Sequence, residues 1–308
     1  MKPLAPVMAT VRREWVGIRT VMIAHNPLVR MLEFEFPVIE RLRNWLTDPA
    51  VRLQDIDGVE SSVAHRQAVE RKAILRQLFE RFYRECRSMD KRYFGDVPGL
   101  RLEIGSGAGI IKTVYPDVIT SDIKVLPFVD IVLKGEAIPF PAKSLRAIYA
   151  INVFHHLPSP RLFFSEILRV LHPGGGVVFI EPFYGPLARW VFKRLHASEG
   201  FDPDARLWEA EGPLGPMSRA NQALSYIVFT RDRQTLLEEF PDLEVVVDHP
   251  HTHLWYVVSG GVNFRQLVPD SFLPVVKVAE QALSPLGRWI ALQHTVVLRR
   301  RPSISSAA

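Results

Sequence analysis

The sequence predicts an α/β protein built on a doubly wound, mostly parallel seven-stranded sheet, with a helical N-terminal extension and a helical insertion before the last strand. Three observations carry that expectation. Short apolar runs bounded by turn residues recur from Leu100 onward, as strands covered on both faces require. A helical stripe between two of these runs, followed by Gly174, Gly175 and Gly176, makes a βαβ unit and hence a parallel pair. The first run, Arg101-Leu-Glu-Ile104, passes straight into a loop holding Gly105, Gly107 and Gly109.

Taken in order, residues 1–98 read as helical. Arg66 to Arg87 contains neither Gly nor Pro and places Val69, Ala73, Leu78 and Phe82 near helical spacing. Strands are expected over 100–104, 118–121, 129–133, 147–151 and 177–180, with a helix over 160–171 whose stripe is Leu162, Phe163, Ile167, Val170 and Leu171. Only seven residues, Ile123 to Val129, link the second and third strands, where a helical crossover takes about a dozen. Fully extended they reach about 25 Å, enough for a parallel return without a helix, and they leave one face of the sheet thinly covered. A helix over 186–196, a Pro/Gly-rich stretch to residue 221, a helix over 231–239 and strands over 243–247 and 292–299 follow, the last two separated by mostly helical sequence. The expected division is therefore an extension over 1–98, the main domain over 99–301 and a frayed tail over 302–308, with 186–226 and 252–290 as the acceptor-binding segments on the ligand edge.

Composition narrows the classes. The 308 residues are 47% hydrophobic and 23% charged, which excludes a disordered chain and supports a sizeable core. Cys86 is the single cysteine, so a disulfide-stapled domain and a Cys-rich zinc site are excluded, and a cytoplasmic location is expected. A net charge of +5 is too slight to imply nucleic acid without a clustered patch or reading motif, and the sequence shows neither. No run reaches the roughly 18 apolar residues of a spanning helix, and the stretch Thr20–Val29 is interrupted by His25, Asn26 and Pro27. No secretory signal is read. The helix over 186–196 sets Leu187, Trp190, Val191 and Leu195 against Arg189, Lys193 and His196 with no acid among them, which suits peripheral contact with a membrane surface and equally an inward-packed stripe. Oligomeric state is left open.

The glycine loop lets a ligand approach the backbone closely, and its exposed amides, with a helix expected to start after them, favour an anionic group. A dinucleotide fingerprint would need glycine at position 110, which is Ile110. Asp122, at the end of the second strand, is placed to accept hydrogen bonds from both hydroxyls of a ribose; a turn-forming Asp is the plainer reading. His155 and His156 follow the fourth strand, on the edge where such sheets bind ligands, and Glu181 ends the fifth on the same rim. A neutral imidazole with a reference pKa of about 6.5 suits removal of a proton from an alcohol, and a cap and packing pair is the alternative. His249, His251 and His253 would share a face if their strand continued, but Pro250 interrupts pairing and a solvated strand end reads better than a metal site; no metal is expected.

The glycine loop, Ser121-Asp122-Ile123, Gly135-Glu136-Ala137-Ile138-Pro139-Phe140, Asn152-Val-Phe-His-His-Leu-Pro158 and Ile167-Leu-Arg-Val-Leu-His-Pro-Gly-Gly175 stand in the order shown by class I S-adenosylmethionine (SAM)-dependent methyltransferases, which residues 100–182 resemble. The likeness is greatest to the branch of quinone, sterol and sugar methylases, and the segments Gly215–Asn221 and Ser259–Gly261 are similar to bacterial methyltransferases of glycan pathways. The resemblance implies a Rossmann-like fold, SAM as cofactor and methylation of a small-molecule, glycan or lipid-linked acceptor, most simply on oxygen. An alternative within the enzymes is a quinone or lipid C-methylase, and one outside them is a SAM-binding or partner-binding module without turnover. It also implies site roles. Glu103, Gly105, Ser106, Gly107 and Gly109 would serve the methionine portion, Asp122 the ribose, and Glu136, Ala137 and Asn152 the rest of the cofactor. His155 would be the base and Glu181 would orient it. Two departures stand out: Lys134 occupies the register where relatives carry an adenine-binding Asp, leaving Glu136 as the nearest acid, and the link after Asp122 lacks their helix.

Overall fold

A computed structural model describes residues 40–51, 55–196, 199–210, 215 and 217–302. The chain divides into two compact units at Leu46/Thr47. In the first, residues 40–46 are helical; the readings made for residues 1–39 and for the tail from 303 lie outside the described residues. Everything below concerns the second unit.

Its centre is a seven-stranded sheet of β1 (Leu100–Ile104), β2 (Val118–Asp122), β3 (Ile131–Val132), β4 (Leu145–Ile151), β5 (Leu171–Pro182), β6 (Leu243–His251) and β7 (Gln293–Arg300). The order is β3-β2-β1-β4-β5-β7-β6, with β7 antiparallel to both neighbours and every other pair parallel. The chain reverses direction across the sheet between β1 and β4, so the carboxyl ends of these two strands flank a crevice where a ligand can sit. Alternation along β4 and β5 builds two cores: Ile148, Ala150, Val177 and Phe179 face one layer, and Ala147, Tyr149, Ile151, Val178 and Ile180 the other.

The first layer is closed by α3 (Pro160–Val170), whose buried stripe is Phe163, Phe164, Ile167 and Val170. Leu162, expected on that stripe, is exposed, and Phe164 takes its place. The second layer differs from the expected picture. The bare link after β2 does return in parallel, pairing Ser121 with Ile131 and Asp122 with Val132. The glycine loop, however, leads only into a single 3-10 turn, Ile111–Thr113. With no helix in either crossover, this face is closed from outside, by α1 (Val59–Arg71) and α2 (Ala73–Tyr93): Val69, Leu75, Leu78, Phe82 and Cys86 share a core with Ile110, Ile111 and Val118. The N-terminal helices thus supply the layer that the short links omit.

Docking is fixed by one buried acid. Asp90 on α2 is 1% exposed and accepts hydrogen bonds from Arg101 Nε at 2.7 Å, Arg146 Nη2 at 2.7 Å and Tyr149 Oη at 2.8 Å, tying the helix to β1 and β4. The run 66–87 is also not one helix. It breaks at Lys72, which leaves helical geometry so that its buried ammonium can donate to the carbonyls of Gly261 and Phe264 beside Asp48.

Beyond β5 come α4 (Pro186–Arg194), α5 (Arg233–Glu239) and, between β6 and β7, α6 (Trp255–Ser259), α7 (Leu273–Leu283) and α8 (Gly287–Ile290), the helical insertion expected there.

Candidate active site

The carboxyl ends of β1, β2, β4 and β5 open into a cavity of about 440 Å³. At one end the strand tips are latched together. Ser106 N–H donates to the Ser121 carbonyl at 2.8 Å, Ser121 N–H to Ser106 Oγ at 3.1 Å, and Ser121 Oγ–H to the Glu103 carbonyl at 2.7 Å. Asp122 accepts the amides of Gly107 at 3.0 Å and Lys124 at 2.9 Å, which aims its carboxylate along the cavity wall and leaves lone pairs for two hydroxyls.

The glycines divide the work. All three have positive φ. A Cβ on Gly105 would come within 2.4 Å of Val153, and one on Gly109 within 2.5 Å of Phe128, so both are required by the protein's own packing. A Cβ on Gly107 would meet nothing closer than 3.7 Å and would project into the cavity. That open cradle is where a ligand can lie against the backbone.

Glu103 is fully buried, and burial pushes its carboxyl up to about 8 despite hydrogen bonds from Ser106 and Tyr83. Glu103 lines the cavity, and its buried Oε2 has no hydrogen-bond partner. A buried carboxylate oxygen without a partner is costly unless a ligand donates to it, and the ammonium of an amino acid is such a donor. The donor set therefore fits SAM: Glu103 for the amino end, Gly107 for the methionine chain, Asp122 for the ribose. Ser106, Glu136 and Asn152 also line the cavity, while Gly109 and Ala137 lie outside the lining. The anion-attracting helix start expected after the glycine loop is absent, because only the 3-10 turn follows.

Two features of this end were not read from the sequence. Lys124 Nζ donates to the carbonyls of Ile56 and Gly58 and lies 3.3 Å from both Ser61 Oγ and Ser62 Oγ, fastening the segment before α1 beside Asp122. Asp57 in that segment accepts Met217 N–H at 2.7 Å and Ser218 Oγ–H at 2.7 Å, joining it to the loop over 217–222. Neither contact leaves a local pattern, since each spans more than 60 residues.

At the other end His155, 4% exposed, sits between two carboxylates. Its Nδ1 lies 2.6 Å from Glu181 Oε2 and its Nε2 lies 3.4 Å from Glu199 Oε2. Glu181, behind the cavity wall, is held by the amides of Val153 and Phe154, both at 2.8 Å to Oε1. Burial alone would lower His155, but the charge and hydrogen bond of Glu181, with those of Glu199, lift it to about 10. The imidazole expected to be neutral is thus an imidazolium at neutral pH. Burial would raise Glu199; the hydrogen bond from His155 and the charges of His156, His196 and His155 hold it at about 2. Glu199 carries no motif, so the sequence reading passed over it. His65, kept neutral by burial at about 4, pairs with Asn263 at 3.0 Å, and Phe192, His196 and Tyr256 complete this end.

Among the described residues one trio, His155, His156 and Glu199, brings three atoms of metal-ligating type within 4.8 Å of one another. The row over 249–253 does not form a second: β6 ends at His251, whose ring pairs with Thr252 and Thr295, and His253 turns away beside Glu280.

A doubly wound sheet that brings Asp122, an open glycine cradle and the buried carboxyl of Glu103 to one cleft has room and donors for an adenosyl cofactor. Residues 102–179, from β1 into β5, match the family described as "Methyltransferase domain". Over those residues the chain accordingly carries a methyltransferase domain, for which SAM is the cofactor. Solved structures to which it is similar include YcgJ from Bacillus subtilis (13% identity, covering 70% of this chain and 97% of that one, TM-score 0.39). A SAM-dependent methyltransferase from Archaeoglobus fulgidus (14%, 72% and 94%, 0.38) and the CurJ carbon methyltransferase (21%, 69% and 51%, 0.37) are others. No curated protein matches the chain.

Proposed function

We propose that this enzyme transfers the methyl group of SAM to a hydroxyl oxygen of a glycan or lipid-linked acceptor, at the cytoplasmic face of a membrane. The observation that carries the reading is the row Glu181–His155–Glu199, which ends the same cavity that holds Gly107 and Asp122. Bound SAM supplies an electrophilic methyl on a sulfonium. Glu199, ionised and on the cavity wall, is the hydrogen-bond acceptor that an incoming hydroxyl meets, and the proton leaving that hydroxyl goes to the Glu199 carboxylate, held in place by the His155 imidazolium, as the sulfur–methyl bond breaks and the oxygen–methyl bond forms. Glu181 sets the ring by holding Nδ1–H, so Nε2 faces Glu199. His155 thus shares its work with Glu199 rather than acting as a lone neutral base, and holding the acceptor in line supplies much of the acceleration. Phe192 and Tyr256 offer the apolar surface that a lipid portion would need.

The test is methyl transfer from isotopically labelled SAM into separated cell fractions, comparing the native chain with Asp122→Ala. Label in an envelope glycan or lipid fraction, on oxygen and lost in the variant, is the expected result. Label on carbon would transfer the reading to a C-methylase, and no label despite SAM binding would sink it in favour of a module without turnover.

A further inference from the structure

Large apolar side chains left in water concentrate on the helices after β5 and before β7. Phe272 is 52% exposed, Val275 62%, Val278 67%, Leu286 48%, Trp289 65% and Trp190 50%. On α7 the exposed Val275 and Val278 stand one turn apart, while Leu273, Val276 and Glu280 form the buried side. On α4 Ala188, Val191 and Phe192 pack inward, turning Trp190 out, and α8, which carries Trp289, packs against α4. The two tryptophans therefore ride on adjoining elements.

The charges around them are mainly basic, the exposed Asp270 at the start of the turn that carries Phe272 being an exception. Over 186–196 and 271–290 the exposed ionisable side chains Arg189, Lys193, Lys277 and Arg288 are all basic. The only acid in either stretch, Glu280, is 4% exposed and faces inward, accepting the amides of His253, Leu254 and Trp255. A second copy meeting this face about a two-fold axis would set basic rim against basic rim. An anionic lipid surface meets it with opposite charge, and tryptophan and valine suit the boundary between headgroup and acyl chain.

We propose that α4, α7 and α8 form a docking face for an anionic lipid bilayer. The inference deepens the acceptor reading above and rests on it only for what the docked enzyme would methylate. Phe192 on the reverse of α4 lines the acceptor end of the cavity, so docking would bring that end close to the lipid from which an acceptor comes. Among the described residues no helix is long and apolar enough to cross a membrane.

The experiment is co-sedimentation of the full chain with vesicles of phosphatidylcholine alone or mixed with phosphatidylglycerol, for the native protein, Trp190→Ala/Trp289→Ala and Arg189→Gln/Arg288→Gln. SAM affinity reports folding in each. The expected result is binding to the phosphatidylglycerol vesicles that weakens with added salt and falls about tenfold or more in either double variant, with SAM affinity unchanged. Absence of binding to phosphatidylglycerol vesicles at low salt overturns the proposal. So does a dimer in light scattering that the tryptophan variant dissociates, which would make the face an interface between copies. Methyl transfer into detergent-solubilised envelope extract separates the two readings: it persists in the variants if the enzyme reading holds, whatever the vesicles show.

Discussion

His155 Nδ1 and Glu181 Oε2 lie 2.6 Å apart, both buried, one on the turn after β4 and the other at the end of β5. Two adjacent strands thereby deliver an ion pair to the rim of the sheet, and the second carboxylate, Glu199, arrives from the loop after α4. The pair makes His155 an imidazolium, and its stability contribution follows from that: present below pH 6.5, it is lost as pH rises through about 10. Methyl transfer should accordingly show no limb near pH 6.5 from His155. Glu181→Gln removes the largest cause of the upward shift, so an NMR titration of the ring should find its pKa lowered and a new limb should enter the pH–rate profile. An unchanged titration in that variant would refute the pairing.

Glu103 should be protonated in the free enzyme at pH 7 and ionised when an ammonium binds beside it. SAM binding measured by calorimetry in buffers of different ionisation enthalpy should then show release approaching one proton, absent in Glu103→Gln. Because its folded pKa is raised to about 8, this carboxyl contributes stability that is complete below about 4.5 and disappears as pH rises through 8. Thermal melts of Glu103→Gln should lack that decline.

The three loop glycines should separate on substitution by Ala. Gly105→Ala and Gly109→Ala force atoms within 2.5 Å of neighbours and should lower the melting temperature severely. Gly107→Ala meets only its own positive φ, a cost of about 1–2 kcal/mol, yet should weaken SAM binding more than tenfold because the methyl fills the cradle. Equal SAM affinity in Gly107→Ala and native protein would contradict the assignment.

Asp90→Asn should destabilise the fold by about 3 kcal/mol, the low end for breaking a buried pair, because Arg101 and Arg146 keep some contact with water. Urea unfolding of the full chain measures it. A change below about 0.5 kcal/mol would mean that α2 is not held by this acid.

Most of the sheet was legible because buried parallel strands write themselves as continuous apolar runs, as β1, β4 and the later part of β5 do. The glycine loop and Asp122 were legible because their chemistry is local. Neutral His155 was misread because Glu181, read only as orienting the ring, is buried against it and charges it, and because Glu199, 44 positions away in a stretch without periodicity, adds to that. The closing of the thin face by α1 and α2 was unreadable for the same reason: amphipathic helices declare an apolar stripe but not the surface it covers. Lys72 broke a helix that propensity favoured because two carbonyls and Asp48 needed its charge.

The most direct test of the account is single-turnover methyl transfer from labelled SAM into an envelope extract by native enzyme, His155→Gln and Glu199→Gln, with SAM affinity determined on the same samples. The account predicts that transfer falls about 10²–10⁴-fold in both variants while SAM affinity stays within about twofold. Undiminished transfer in either variant, with SAM bound, would contradict it.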